Sequence, residues 1–477
     1  MCTSVIVGEK ATADGSFMIA RSADSNALKA QHFVIHPACD LPKGTMYRTQ
    51  DHKGATDFEY ELPEHCMRYT TVPNWQTQLH GAVGFNEAGV GMSGTESIFA
   101  RDDALAFDPY NKATGITEDD ICDIILPRCT SAREACAFLG KVIEEKGAAE
   151  GFGVGFADAK EIWYIETGTA HHWIAHRTPA DKYMATGNQG RLREYDPSRD
   201  DMMGSAGVID FAIEHGFYDP QTDGAFDFAK AYTRNDDRDR IYNDPRVWIM
   251  QKRLNPSIEQ PVDDGRNFEV YLTPENKITV DDLKAIMRDH FEGTEHDPYT
   301  EKLNGEEPWR PVSVFRTYES HVLQVRPWLP QAIGNLVYVA FGMSDLSVYL
   351  PFYWGLEKVP AHYGMGTNHA DRLSVYWKFR KLQTLTMTDY AGCAPIVKAA
   401  FADFECQLKA RQAAMEDEYV KLVAQDKAAA DRLLNDFNLR VLAEGEELAE
   451  RLTDEIFTKR TSDIQDTIYF KNNKHLD

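Results

Sequence analysis

Along the first half of the chain, apolar residues fall in short runs broken by turn residues, the pattern of strands more than of helices. TSVIVG (3–8), the turn Ala13-Asp14-Gly15-Ser16 and FMIAR (17–21) predict a hairpin in the opening residues. FVIHPA (33–38) and DFEYEL (57–62) continue the pattern. GAVGF (81–85), Asn86-Glu87-Ala88-Gly89 and VGMSGT (90–95) make a second strand–turn–strand unit. Helical spacing enters at 118–126 and 131–146, with Thr117 and Ser131 as N-caps and Pro127 between the two segments. From 151 to 188, GFGVGFAD, EIWYIETG, HHWIAHR and KYMATGN return to strands. Their connections are too short for helical crossovers, so the sheet they build is antiparallel.

Helices are predicted near 207–215, 226–233, 245–253 and 280–291. A third strand group, VSVFRTYES, HVLQVR, NLVYVAF and SVYLPFY, occupies 312–353, and 366–460 is mostly helical. Two sheet groups with helices between and after them fit a layered α+β architecture. No Gly/Ser-rich or Pro-rich linker divides the chain. We read 1–360 as a core with helical insertions and 361–477 as a mainly helical extension packed on it.

The 477 residues carry 51 Lys+Arg against 75 Asp+Glu, a formal charge of −24. Nucleic acid and anionic membrane surfaces both bind through excess basic charge, so neither is expected as a partner. No apolar run approaches the roughly 20 residues of a membrane span, and the first residues lack the basic start of a signal peptide. Eight cysteines without a CxxC pair fit reduced thiols in a cytoplasmic protein. Cys122, Cys129 and Cys136 recur every seven residues, but no histidine accompanies them, so they read as buried side chains and not as a metal site.

Candidate chemistry begins at Met1-Cys2-Thr3. A residue as small as cysteine in second place permits removal of the initiator methionine, which frees the α-amine of Cys2. That amine titrates near about 7.7–8.0 and a free thiol near about 8.5. One residue then supplies both a nucleophile and the base that takes its proton. Cys2 runs directly into a strand, which anchors the terminus. The returning strand ends at Ala20-Arg21-Ser22-Ala23-Asp24, so Arg21 and Asp24 come near Cys2. Arg21 would stabilise a thiolate by its charge, and Asp24 would hold the α-amine.

The opening MCTSVIVGEKATADGSFMIARSADS resembles the dipeptidase A family of N-terminal-nucleophile (Ntn) hydrolases, related more distantly to bile-salt hydrolases and penicillin V acylases. GFNEAGVGMSGTES (84–97), EIWYIETGTAHHWIAHR (161–177), YMATGNQGRL (183–192), YNDPRVWIMQKRLNP (242–256), TYESHVLQVRPWLP (317–330) and SVYLPFY (347–353) resemble it in the same order. The resemblance implies a four-layer αββα sandwich of antiparallel sheets. It makes Cys2 the nucleophile, Arg21 and Asp24 its supporting residues, and Asn188 a side-chain donor to the oxyanion hole. Glu96 falls where a backbone N–H is contributed, and Arg246 near a site arginine. The implied reaction is hydrolysis of free dipeptides through a thioester, with no metal or organic cofactor and with Met1 as the segment to be removed. A different amidase of the superfamily, acting on N-acyl amino acids or bile-salt-like amides, stays open. So do a non-catalytic interaction protein and a homo-oligomer.

Other motifs carry less. His172 and His176 are four residues apart beside His171, a zinc-like spacing on a helix, but in a strand they stand about 13 Å apart. GFGVG (151–155) lacks the GK[ST] of a phosphate cradle and reads as closely packed strand. VYLPFYWG (348–355) reads as core or pocket wall, and the acidic helices after 410 as solvated faces.

Overall fold

The computed structural model describes residues 2–79, 81–234, 236–299 and 309–465. Met1 and the stretch 466–477 of the expected extension lie outside the described residues. The principal strands, in chain order, are β1 (Cys2–Val7), β2 (Phe17–Asp24), β3 (Val83–Phe85), β4 (Gly91–Ser97), β5 (Phe152–Ala157), β6 (Ile162–Thr167), β7 (Trp173–Arg177), β8 (Tyr183–Thr186), β9 (Met202–Gly204), β10 (Thr317–Val325), β11 (Asn335–Phe341) and β12 (Leu350–Tyr353). They form two six-stranded antiparallel sheets, ordered β8-β1-β2-β10-β11-β12 and β9-β7-β6-β5-β4-β3. The opening hairpin is present. Its turn is closed by Asp14, whose carboxylate accepts the Ser16 N–H at 3.0 Å, and by Gly15 at φ +84°.

The sheets pack face to face, with β1, β2 and β10 against β4 and with β2 against β5. Helix α1 (Ala132–Lys146) covers the outer face of the second sheet on β5, β6 and β7. Helices α2 (Asp244–Leu254), α3 (Val280–Met287) and α4 (Val375–Met387) cover the first, on β8, on β2 with β10, and on β11. Helix, sheet, sheet, helix: this is the expected αββα sandwich. Covered on both faces, β1 and β2 are buried at every position. That burial explains why their sequences read as runs instead of alternating.

Two long helices, α5 (Tyr390–Val423) and α6 (Lys427–Gln465), run antiparallel to finish the chain, and α6 packs on β12. Gly445 allows the approach, because a Cβ there would stand 2.5 Å from Leu350 Cδ2. Glu416 of α5 accepts two bonds from Arg326 at 2.8 Å and one from the Tyr353 hydroxyl at 2.5 Å. Asn438 of α6 donates to Pro351 O at 2.7 Å, on the edge strand where a proline is tolerated.

Three expectations are corrected. VSVFRTYES and HVLQVR are not two strands: β10 runs unbroken through Glu319-Ser320-His321, and 312–316 precede it. The segment at 118–126 narrows to a helix over Ile121–Ile125 without Thr117 as its cap. Thr117 instead closes a turn on Asp120, its N–H and hydroxyl donating to Oδ2 at 2.9 and 2.6 Å. The segment at 280–291 ends at Met287. Ser131 does cap α1, accepting the Glu134 N–H at 3.1 Å.

Glu416→Ala strips Arg326 of its carboxylate and should lower the unfolding free energy by about 3 kcal/mol, read from urea denaturation. A single transition is expected, with the C-terminal helices unfolding together with the sheets. Two transitions would make those helices an independent unit.

Candidate active site

Strand register sets the site. Cys2 pairs with Ala23 and Ser4 with Arg21, and across β10 Glu319 pairs with Ala23 and His321 with Arg21. Directly opposed residues share a face, so Cys2, Ser4, Arg21, Glu319 and His321 all project toward the second sheet. Thr3 and Asp24 project the other way, toward the helices. On the opposite flank β1 pairs Ser4 with Thr186, and the same register continued brings Cys2 level with Asn188.

On the inner face, the Arg21 guanidinium donates to Cys2 Sγ at 2.8 Å. Its other neighbours are Glu319 at 3.4 Å and Glu96 at 3.7 Å. Burial alone would weaken its charge, but the fields of Cys2, Tyr318, Glu319 and Glu96 outweigh burial and hold the guanidinium firmly protonated. Glu96 accepts hydrogen bonds from the hydroxyls of Ser4 and of Tyr164, the latter at 3.1 Å. Burial raises its pKa against the pull of Arg21. Behind Glu319, His321 bonds Glu319 Oε2 at 3.0 Å and Ser93 Oγ at 2.8 Å. Burial lowers the His321 pKa, favouring the neutral ring.

On the outer face, Arg246 of α2 is wholly buried. Its Nη1 donates to Cys2 O at 2.6 Å and Thr3 Oγ1 at 2.7 Å, and its Nη2 to Asn188 Oδ1 at 2.9 Å and Asn243 Oδ1 at 2.6 Å. Its Nε donates to Tyr242 O at 2.8 Å. Because Arg246 takes Asn188 Oδ1, the amide NH₂ must point the other way, where one hydrogen reaches Ser97 O at 3.1 Å. The second hydrogen is oriented by default. Asp24 accepts from Thr317 Oγ1 at 2.5 Å and forms an ion pair with Arg310.

The structure therefore brings Cys2, Arg21, Asp24, Asn188, Glu96 and Arg246 around the start of β1. It also separates two that the sequence joins: Arg21 and Asp24, three residues apart in a strand, lie on opposite faces of the sheet. Glu96 follows a register shift in β4 between Gly94 and Glu96, a bulge that leaves main-chain groups out of the ladder. Its side chain has a separate task as a partner of Arg21. Glu319, His321, Asn243 and Arg310 were not foreseen, and only the Glu-x-His alternation within β10 hinted at two of them.

The histidines of the zinc-like motif go to separate partners: His171 to Asp108 at 2.7 Å, His172 to Ser205 at 3.1 Å and His176 to Glu194 O at 2.6 Å. Cys122, Cys129 and Cys136 are buried, as expected.

Comparison with known proteins decides the family. The model of peptidase family C69 matches residues 1–402. The chain belongs to peptidase family C69. It is 51% identical over 368 residues to a probable dipeptidase of Salmonella dublin, covering 76% of this chain and 82% of that one. A probable dipeptidase A of Streptococcus pyogenes serotype M3 is 34% identical over 399 residues, covering 82% and 83%. Among solved structures, the penicillin V acylase of Agrobacterium tumefaciens is 14% identical, with a TM-score of 0.32, covering 74% of this chain and 86% of that one. A likeness that loose adds nothing to the layers read directly from the strands. As a C69 member the chain is a peptide hydrolase.

Arg246→Lys keeps a charge but cannot hold the Cys2 carbonyl and the Asn188 amide together. We expect kcat to fall about 100-fold, the scale of losing an oxyanion donor, with KM little changed. An unchanged kcat in steady-state assays would show that Asn188 is oriented without it.

Proposed function

We propose that this C69 peptidase is a cysteine dipeptidase that hydrolyses the amide bond of free dipeptides through a thioester on Cys2. The observation that carries the reading is the contact of the Arg21 guanidinium with Cys2 Sγ at 2.8 Å, at the first residue of a fully buried strand. Once Met1 is removed, the Cys2 α-amine takes the thiol proton and Sγ attacks the scissile carbonyl. Arg21 is the charge partner of the thiolate. The Asn188 NH₂, fixed by Arg246, and the Glu96 N–H receive the developing oxyanion. Asp24, at the strand end beside Cys2, fixes the amine with the help of Arg310.

The protonated amine then delivers its proton to the leaving amine as the C–N bond breaks. Water, activated by the same amine, cleaves the thioester and restores the thiol. No step calls on a metal. Small peptides are the partners of this reaction, and a cytoplasmic location fits the eight free thiols. No helix among the described residues is long and apolar enough to cross a membrane.

The test is direct. The mature protein should be one methionine lighter than its gene product by intact mass. Cys2→Ser should lose activity on Ala-Ala by about 1,000-fold or more, while Cys406→Ser, at an exposed thiol of α5, changes little. Equal rates in wild type and Cys2→Ser would remove the mechanism. Preference for N-acylated over free dipeptides would replace the substrate class.

A further inference from the structure

A cavity of about 320 Å³ adjoins Asn188, lined in part by Gln189, Gly190, Asp239, Asp244, Arg193 and Arg266, and its volume suits a small ligand. Gln189 and Gly190 directly follow Asn188. Asp239 and Asp244 stand on either side of Asn243, whose Oδ1 accepts the Asn188 N–H at 2.9 Å and whose Nδ2 donates to Asp239 Oδ1 at 2.6 Å. The cavity thus begins one residue beyond the amide that would hold the scissile carbonyl.

The polar lining is incomplete. Asp244 is only 4% exposed and Gln189 8%, yet Asp244 Oδ1 and Gln189 Oε1 have no hydrogen-bond donor. Burial, and then the charge of Asp239, push the Asp244 carboxyl up to about 6 against the pull of Arg191 and Arg266 and a hydrogen bond from the Gln189 side chain. Two neighbouring carboxylates with an unfilled acceptor are a site for a cationic donor. We infer that this cavity binds the α-ammonium group of the dipeptide, with Asp244 and Asp239 as its partners.

This inference rests on the dipeptidase reading and adds the residues that recognise a free N-terminus. In a dipeptide the ammonium nitrogen is two bonds from the scissile carbonyl carbon, about 2.5 Å away. Its partners must therefore stand next to the oxyanion donor, and these two carboxylates are tied to Asn188 through Asn243. Five Arg or Lys residues of the lining, Arg193 and Arg266 among them, stand against Asp227, Asp239 and Asp244 and give the cavity mixed sign, which suits a zwitterion. An N-acylated substrate would cover both carboxylates and bring no cation.

The experiment is calorimetric titration of full-length Cys2→Ser, which binds without turnover, with Ala-Ala and with N-acetyl-Ala-Ala. Ala-Ala should bind at least about tenfold more tightly, the value of one hydrogen bond to a charged group. Adding Asp244→Asn should remove that preference, with N-acetyl-Ala-Ala binding unaltered, and Asp244→Glu should restore part of it. Asp239→Asn serves the same purpose should Asp244→Asn fail to fold. A folded variant that keeps the preference overturns the site, as does equal binding of the two ligands. If Cys2→Ser binds Ala-Ala with that preference but wild type fails to hydrolyse it, the dipeptidase reading falls and the ammonium site stands.

Discussion

A guanidinium without access to water costs least when its donors are all matched, and Arg246 meets that condition with five acceptors for five N–H groups. Those acceptors come from β1, from the turn after β8 and from the two residues just before α2. Burying one charge therefore fixes three segments relative to one another. The first is the nucleophile's own main chain, and the second is the amide that would face its substrate. A lysine could satisfy no more than three of these acceptors, and from a single point. The geometry of the terminus depends on this clamp.

Two arginines serve the terminus from opposite sides of one sheet. Arg21 works between the sheets, where Glu96 and Glu319 hold it at the thiol. Arg246, with Arg310, works under the helices, where main-chain carbonyls, amides and Asp24 hold them. Strand alternation does the sorting: Cys2 presents its sulfur to one layer, while its peptide oxygen is held from the other. An N-terminal nucleophile needs this division, because its base is part of the main chain and must be held independently of its side chain.

Much of the fold was legible because a sandwich covered on both faces turns strands into apolar runs, and the hairpins carry plain turn residues. The division of β10 at Glu319-Ser320-His321 failed for a physical reason. Polar residues in mid-strand read as a break, whereas here they form the charged layer behind Arg21. The helix expected at 245–253 is present as α2, but no local pattern shows that Asn243, just before it, caps nothing with its side chain. Its Oδ1 serves Asn188 and Arg246, and its Nδ2 serves Asp239. Cys2, Arg21 and Asp24 were visible because a short hairpin makes them neighbours. Arg310 and Glu319 lie almost 300 positions away, joined only by register that no local pattern encodes.

Asn243 also joins the proposed oxyanion amide to the proposed ammonium site. Asn243 is shared between the amide that would hold the oxyanion and a carboxylate that faces the cavity, so a displacement of either is felt by the other. Local sequence rules fail where a side chain leaves its usual local bond for a distant one, and a fold sustains such departures where function requires them. At the start of α2 the helix forgoes a side-chain cap, a loss of about 1 kcal/mol. In exchange, one amide spans the gap between nucleophile and cavity. That trade is intelligible only if the geometry between the two has to be kept within a few tenths of an ångström, which is what covalent attack on a small, short-armed substrate demands.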